Sequence, residues 1–210
     1  MSQRKTRVVV VTSRKGGTGK STVSSHLSVF AGPAAVLIDT YSQDTEGSSA
    51  TWMQAREALT PRFYSYDDFK RQGIERLIEQ AELGGATHVI VDTAPAADAA
   101  VANVMKLADV IVVVTEPSFL PLRALPRSLS IAQATGKPTL VVLNKVKEAR
   151  LEAEQTRAAF KENGIPFVEL SDLADFGRAL AEGKAVHEYA PKSKSAQQVS
   201  AVWKKIEEMF

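Results

Sequence analysis

The apolar run Val8-Val9-Val10-Val11 is followed at once by Arg14-Lys15-Gly16-Gly17-Thr18-Gly19-Lys20-Ser21-Thr22. After it, Val23, Leu27, Phe30 and Ala31 fall on one helical face. A buried strand, a glycine-rich turn and a helix in that order describe a loop built to hold phosphate. The glycines let backbone N–H groups turn inward around phosphate oxygens. The helix presents its positive N-terminus to the same anion. Lys20 is placed to reach the outer phosphates, and the Ser21 hydroxyl to ligate Mg²⁺. The ordinary form, G-x-x-x-x-G-K-[ST], fails here because Arg14 stands where its first glycine belongs. In compensation an extra lysine, Lys15, directly precedes the double glycine. This K-G-G-x-G-K-[ST] variant is the more specific pattern.

The rest of the chain alternates in the same way. Short β-branched runs occur at Val8–Val11, Ala35–Ile38, Val89–Val91, Val110–Val114 and Thr139–Leu143. Most are continuous rather than alternating, as strands buried on both faces are. Arg62–Ser65 and Pro166–Glu169 are weaker candidates, suited to sheet edges. Helical patterns lie between them: Ile74, Leu77, Ile78 and Ala81 in one, then residues 98–107, 122–134, 150–163 and 172–182. Gly84-Gly85, Gly136 with Pro138, and Gly164 with Pro166 are stop signals. The expectation is one α/β domain over residues 1–210, a doubly wound and mostly parallel sheet with helices on both faces. Ligands then sit at the carboxyl ends of the strands.

Composition narrows the function classes. The chain has no cysteine, which excludes disulfides, iron–sulfur clusters and thiolate metal sites. The net charge of +2 does not by itself argue for nucleic acid. Lys145, Lys147 and Arg150 form one local basic cluster, and Lys192 and Lys194 another; both also suit an ordinary solvated surface. No apolar run approaches the roughly 20 residues needed to span a bilayer. Met1 to Arg7 has no signal character, and a cytoplasmic chain is expected.

Three further positions carry chemistry. Asp39 ends Val36-Leu37-Ile38-Asp39, and Asp92 ends Val89-Ile90-Val91-Asp92. An aspartate at a strand's carboxyl end can hold Mg²⁺, directly or through water, or orient an attacking water. The plainer alternative is a cap or turn residue. Asn144 follows Thr139–Leu143, where a side-chain amide can read a purine edge or simply make a turn. The histidines His26, His88 and His187 show no ligand spacing, and Trp52 and Trp203 suit packing.

With these residues in hand, the chain resembles the ParA/MinD family of deviant P-loop ATPases, in its small ParA form without an N-terminal DNA-reading domain. The resemblance rests on Lys15–Thr22, the Asp39-Thr40-Tyr41-Ser42-Gln43 segment, the Val89–Asp92 strand end and Asn144, and it covers essentially the whole chain. It implies ATP and Mg²⁺ as cofactors. Lys15, Gly16, Gly17, Thr18, Gly19, Lys20, Ser21, Thr22 and Asn144 then hold the nucleotide. Ser21, Asp39 and Asp92 serve the metal, and Lys15, Lys20 and Asp39 serve catalysis. It further implies an ATP-dependent sandwich homodimer in which Lys15 reaches the partner's ATP, neutralising charge on the transferred phosphoryl group. Such dimers bind DNA non-specifically, associate with the nucleoid when ATP-bound, and release when a cargo-bound, ParB-like partner stimulates hydrolysis. Arg178, Lys184, Lys192 and Lys194 lie where the family often places DNA contacts.

The departures matter as much. The family usually reads D-x-D-P-Q after the second strand; here Tyr41 replaces the second aspartate and Ser42 the proline. A neutral phenol is a poor general base. Intrinsic hydrolysis is therefore expected to be slow, unless Asp39, Asp44 or a partner takes over the water. Pro121 stands where related chains often carry an acid. Two other functions compete. A MinD-like membrane-cycling ATPase would use the C-terminal apolar face of Val199, Val202, Trp203, Ile206, Met209 and Phe210 as an amphipathic helix, although packing on the sheet is the expected fate of that face. A dethiobiotin-synthetase-like ligase would share the scaffold but finds no substrate motif here.

Overall fold

The computed structural model describes residues 6–41, 48–96, 98–117 and 127–210. In chain order these form β1 (Arg7–Ser13), α1 (Lys20–Phe30), β2 (Val36–Asp39), α2 (Ser49–Ala55), β3 (Arg62–Tyr64), α3 (Tyr66–Gln72), α4 (Ile74–Leu83), β4 (His88–Pro95), α5 (Ala99–Lys106), β5 (Val110–Thr115), α6 (Arg127–Ala134), β6 (Thr139–Val146), α7 (Leu151–Glu162), β7 (Phe167–Ser171), α8 (Ala174–Ala181), α9 (Val186–Tyr189) and α10 (Lys194–Glu207).

The strands make one sheet in the order β3-β2-β4-β1-β5-β6-β7, with every pair parallel. The continuous valine runs take the middle, where both faces are covered. The two weaker candidates, β3 and β7, are the edges. Strand β1 shows the logic at single-residue scale. Val8 and Val10 enter one core with α4, α5, α6 and α7. Val9 and Val11 enter the other, with α1, α2, α8, α9 and α10. Consecutive connections leave β1 toward β2 and return to β5 on its other side. The sheet's switch point therefore falls at the carboxyl end of β1, where open α/β sheets bind ligands.

Three helices lie where no helical pattern was read. Helix α2 begins at Ser48, whose Oγ accepts the Thr51 N–H at 3.1 Å. Helix α3 begins with a capping box between Ser65 and Asp68, a local signal present in Ser65-Tyr66-Asp67-Asp68. Helix α9 is a single turn. Within 122–134, helix is seen over Arg127–Ala134; residues 122–126 lie outside the described residues, as do Ser42, Gln43, Asp44 and Pro121.

The C-terminal apolar face packs as an ordinary last helix. Val199, Val202 and Ile206 are buried in the core that also holds β7 and α1 residues. Arg7 stacks on the Phe210 ring at 4.5 Å and bonds Glu207 at 3.1 Å. The centre of the face that a membrane-lying helix would need is thus already packed against the core, with Trp203 and Met209 partly buried beside it. Among the described residues no helix is long and apolar enough to cross a membrane.

Candidate functional site

At the carboxyl edge of β1, β2 and β4 the chain forms a cleft of about 320 Å³, lined by residues 15–22 with Asp39, Tyr41, Asp92 and Lys145. Gly17 and Gly19 take positive φ, 78° and 86°, which carries the backbone around the cleft at little cost only for glycine. Gly19 is the N-cap of α1, and no side chain caps that helix; no acid stands in its first turn. The helix's leading N–H groups are therefore available to an anion.

The two lysines of the loop behave oppositely. Lys15 is exposed, and its carbonyl is gripped by the Ser13 hydroxyl at 3.1 Å and the Thr18 hydroxyl at 3.4 Å. Lys20 is buried, with Nζ 2.9 Å from Asp92 Oδ1. The other carboxylate oxygen of Asp92 accepts the Ser49 hydroxyl at 2.7 Å.

Asp39 and Asp92 are register partners on the adjacent strands β2 and β4, and both are buried. Asp39 Oδ1 accepts the Tyr41 N–H at 3.0 Å. Burial, and next the Asp92 carboxylate, push the Asp39 pKa up to about 7, opposed by the Tyr41 N–H and Lys20. Two buried carboxylates that repel one another, beside the Ser21 hydroxyl, form a set of hard oxygen donors. That set fits Mg²⁺; Ser21, Asp39 and Asp92 would hold the ion, which would offset phosphate charge.

The far wall comes from a bulge. The pairing of β6 with β7 shifts between Leu143 and Val146, and Lys145 takes a left-handed φ of 54°. Bulges re-aim side chains, and this one turns both Asn144 and Lys145 onto the phosphate loop. Asn144 Nδ2 donates to the Thr18 carbonyl at 2.7 Å. Lys145 Nζ donates to the Gly17 carbonyl at 2.5 Å and pairs with Glu116 at 2.8 Å. Asn144 therefore touches the loop directly. A Cβ on Gly19 would stand 2.1 Å from Asn144 Nδ2, so a larger residue would displace that amide as well as strain the positive φ. Lys145 also borders a second cleft of about 220 Å³ with Lys147 and Arg150. Lys147 pairs with Asp172 at 3.2 Å.

The structure therefore brings residues 15–22, Asp39, Asp92 and Asn144 together. The four residues named for DNA lie apart from the cleft lining. Arg178 on α8, Lys184, Lys192 and Lys194 are all exposed. Lys184 pairs with Glu182 at 2.8 Å and Lys194 with Glu148. Among the described residues Arg178 and Lys192 make no ion pair. Ser49 and the bracing role of Lys145 were not foreseen. Neither has a local signal: the cap that opens α2 is Ser48, while Ser49 acts on Asp92.

The chain is similar to known proteins over nearly its whole length. No protein-family model matches the chain. The maintenance of carboxysome distribution protein A of Gloeobacter kilaueensis is 32% identical over 210 residues, covering 96% of this chain and 93% of that protein. Protein ParA of Rhizobium radiobacter is 27% identical over 205 residues, covering 93% and 90%. The structure of the septum site-determining protein MinD with Mg-ADP, from Pyrococcus horikoshii OT3, superposes with a TM-score of 0.72 at 17% identity, covering 97% of each chain. The chain belongs to the ParA/MinD family of P-loop ATPases.

Proposed function

We propose that this chain is a positioning ATPase that binds Mg-ATP in the cleft and dimerises across it. Its dimer then holds non-specific DNA while a cargo-bound partner protein triggers hydrolysis. The observation that carries the reading is the division of labour between the two loop lysines. Lys20 is turned inward onto Asp92, while Lys15 stands exposed at the cleft rim. A cation held at the rim is available to a second subunit's phosphate, where it would add to transition-state stabilisation. The similar carboxysome distribution protein and ParA support positioning as the task; the cargo is a matter for this chain's own partner surface.

Within the cleft, the loop N–H groups and the α1 N-terminus hold the phosphates, and Lys20 transfers from Asp92 to phosphate oxygen. Ser21, Asp39 and Asp92 serve the metal. Asn144 and Lys145 keep the loop from opening. The nucleoside is directed to the second cleft, which shares Lys145 with the first.

DNA binding is tested by retention of labelled duplex with ATP, with ADP and at two salt concentrations. Phosphate contacts predict ATP-dependent retention that falls steeply with salt. Retention insensitive to both nucleotide and salt contradicts this part of the reading.

A further inference from the structure

We propose that Ser49 is a positioning residue that fixes the Asp92 carboxylate for the metal side of the site. The inference rests on the cleft being a Mg-ATP site. Ser49 is the first residue of α2 and is fully buried. Its Oγ lies 2.7 Å from Asp92 Oδ2, the length of a charge-assisted O–H···O bond. Lys20 takes the other oxygen. Together the two contacts set both the position and the plane of the carboxylate.

The hydroxyl is itself held in place by the far end of its helix. Trp52 is buried, and its Nε1 donates to the Lys184 carbonyl at 3.2 Å. Arg56 reaches both Glu188 oxygens at 2.8 Å and the Gly183 carbonyl at 2.8 Å. It also lies over the Trp52 ring at 5.0 Å. Helix α2 is therefore pinned to the turn between α8 and α9, and Ser49 is a fixed post rather than a group that follows the carboxylate. When phosphate draws Lys20 away, Ser49 remains to hold Oδ2, leaving Oδ1 presented to the cleft. Without it, a buried carboxylate beside Asp39 is free to rotate away from the like charge.

The test is binding of a fluorescent ATP analogue to the full chain, titrated with Mg²⁺ and repeated in EDTA, for wild type, Ser49→Ala and Ser49→Cys. Ser49→Ala is expected to raise the Mg²⁺ concentration for half-maximal binding roughly tenfold, the size of one hydrogen bond to a charged group. Binding in EDTA stays at the wild-type level. Ser49→Cys, similar in size but a weak donor, is expected to fall between the two, and carries the test if the alanine variant does not fold. A lower melting temperature with wild-type Mg²⁺ dependence in either folded variant reduces Ser49 to a structural role and overturns the proposal. Failure of the cleft reading would look different: wild type itself would then show no Mg²⁺-dependent binding, and both inferences would fall.

Discussion

Lys20 Nζ and Asp92 Oδ1 meet at 2.9 Å with side chains only 9% and 2% exposed, joining the phosphate loop to the end of β4. Removing one member of a buried pair strands the other charge and costs about 3–5 kcal/mol. Here the stranded carboxylate would also face Asp39. Lys20→Met is expected to lower unfolding free energy by ~3 kcal/mol in urea titrations, and adding Asp92→Asn to restore most of it. Nucleotide binding stays lost in both variants, because the lysine is missing from each. Additive losses of stability would show that the two side chains are not coupled.

His26 supplies a pH dependence unrelated to the cleft. It sits on α1, fully buried, and its Nδ1 accepts the Val186 N–H at 3.1 Å. Burial, and then the neighbouring His187, lower its pKa to about 3, with Glu188 pulling upward. A folded pKa below the unfolded value of about 6.5 means that the unfolded chain binds more protons between the two. This contribution is complete above pH 6.5 and is lost as pH falls toward 3. His187, also lowered by burial, acts in the same direction. Melting temperature should fall on acidification from pH 7 to pH 5, and His26→Asn should flatten that slope. A slope unchanged by the substitution assigns the acid sensitivity elsewhere.

Tyr41 stands at the rim of the cleft, with its N–H on Asp39. A phenol supplies no carboxylate to orient water, and a positioned general base is worth at least about a hundredfold. Tyr41→Asp is expected to raise steady-state ATP turnover by about tenfold or more. A rate that is unchanged or lower would show that Tyr41 is not what limits hydrolysis.

The sheet was readable in the sequence because its strands are buried on both faces, and such strands are continuous apolar runs. The valines of β1, β4 and β5 carry that signal alone. The phosphate loop and the paired strand ends at Asp39 and Asp92 were readable for a related reason: glycine, lysine and aspartate are placed by local geometry after each strand. Helices α2 and α9 were not, because they are short and fixed by contacts distant in sequence, such as Arg56 with Glu188. Ser49 and Lys145 escaped for the same cause. One acts on Asp92 across 43 positions and the other on Gly17 across 128, and no local periodicity encodes either. The bulge in β6 that turns Asn144 onto the phosphate loop is not revealed by spacing alone.

The proposed dimer depends on Lys15. It is exposed, so Lys15→Gln should leave folding and monomeric nucleotide binding intact. Sedimentation velocity of wild type and Lys15→Gln, each with Mg-ATP and with Mg-ADP, tests the claim most directly. A dimer is expected for wild type with Mg-ATP, and monomers for wild type with Mg-ADP and for the variant with either nucleotide. A variant that dimerises with Mg-ATP as wild type does, or a wild type that stays monomeric with Mg-ATP, would contradict it.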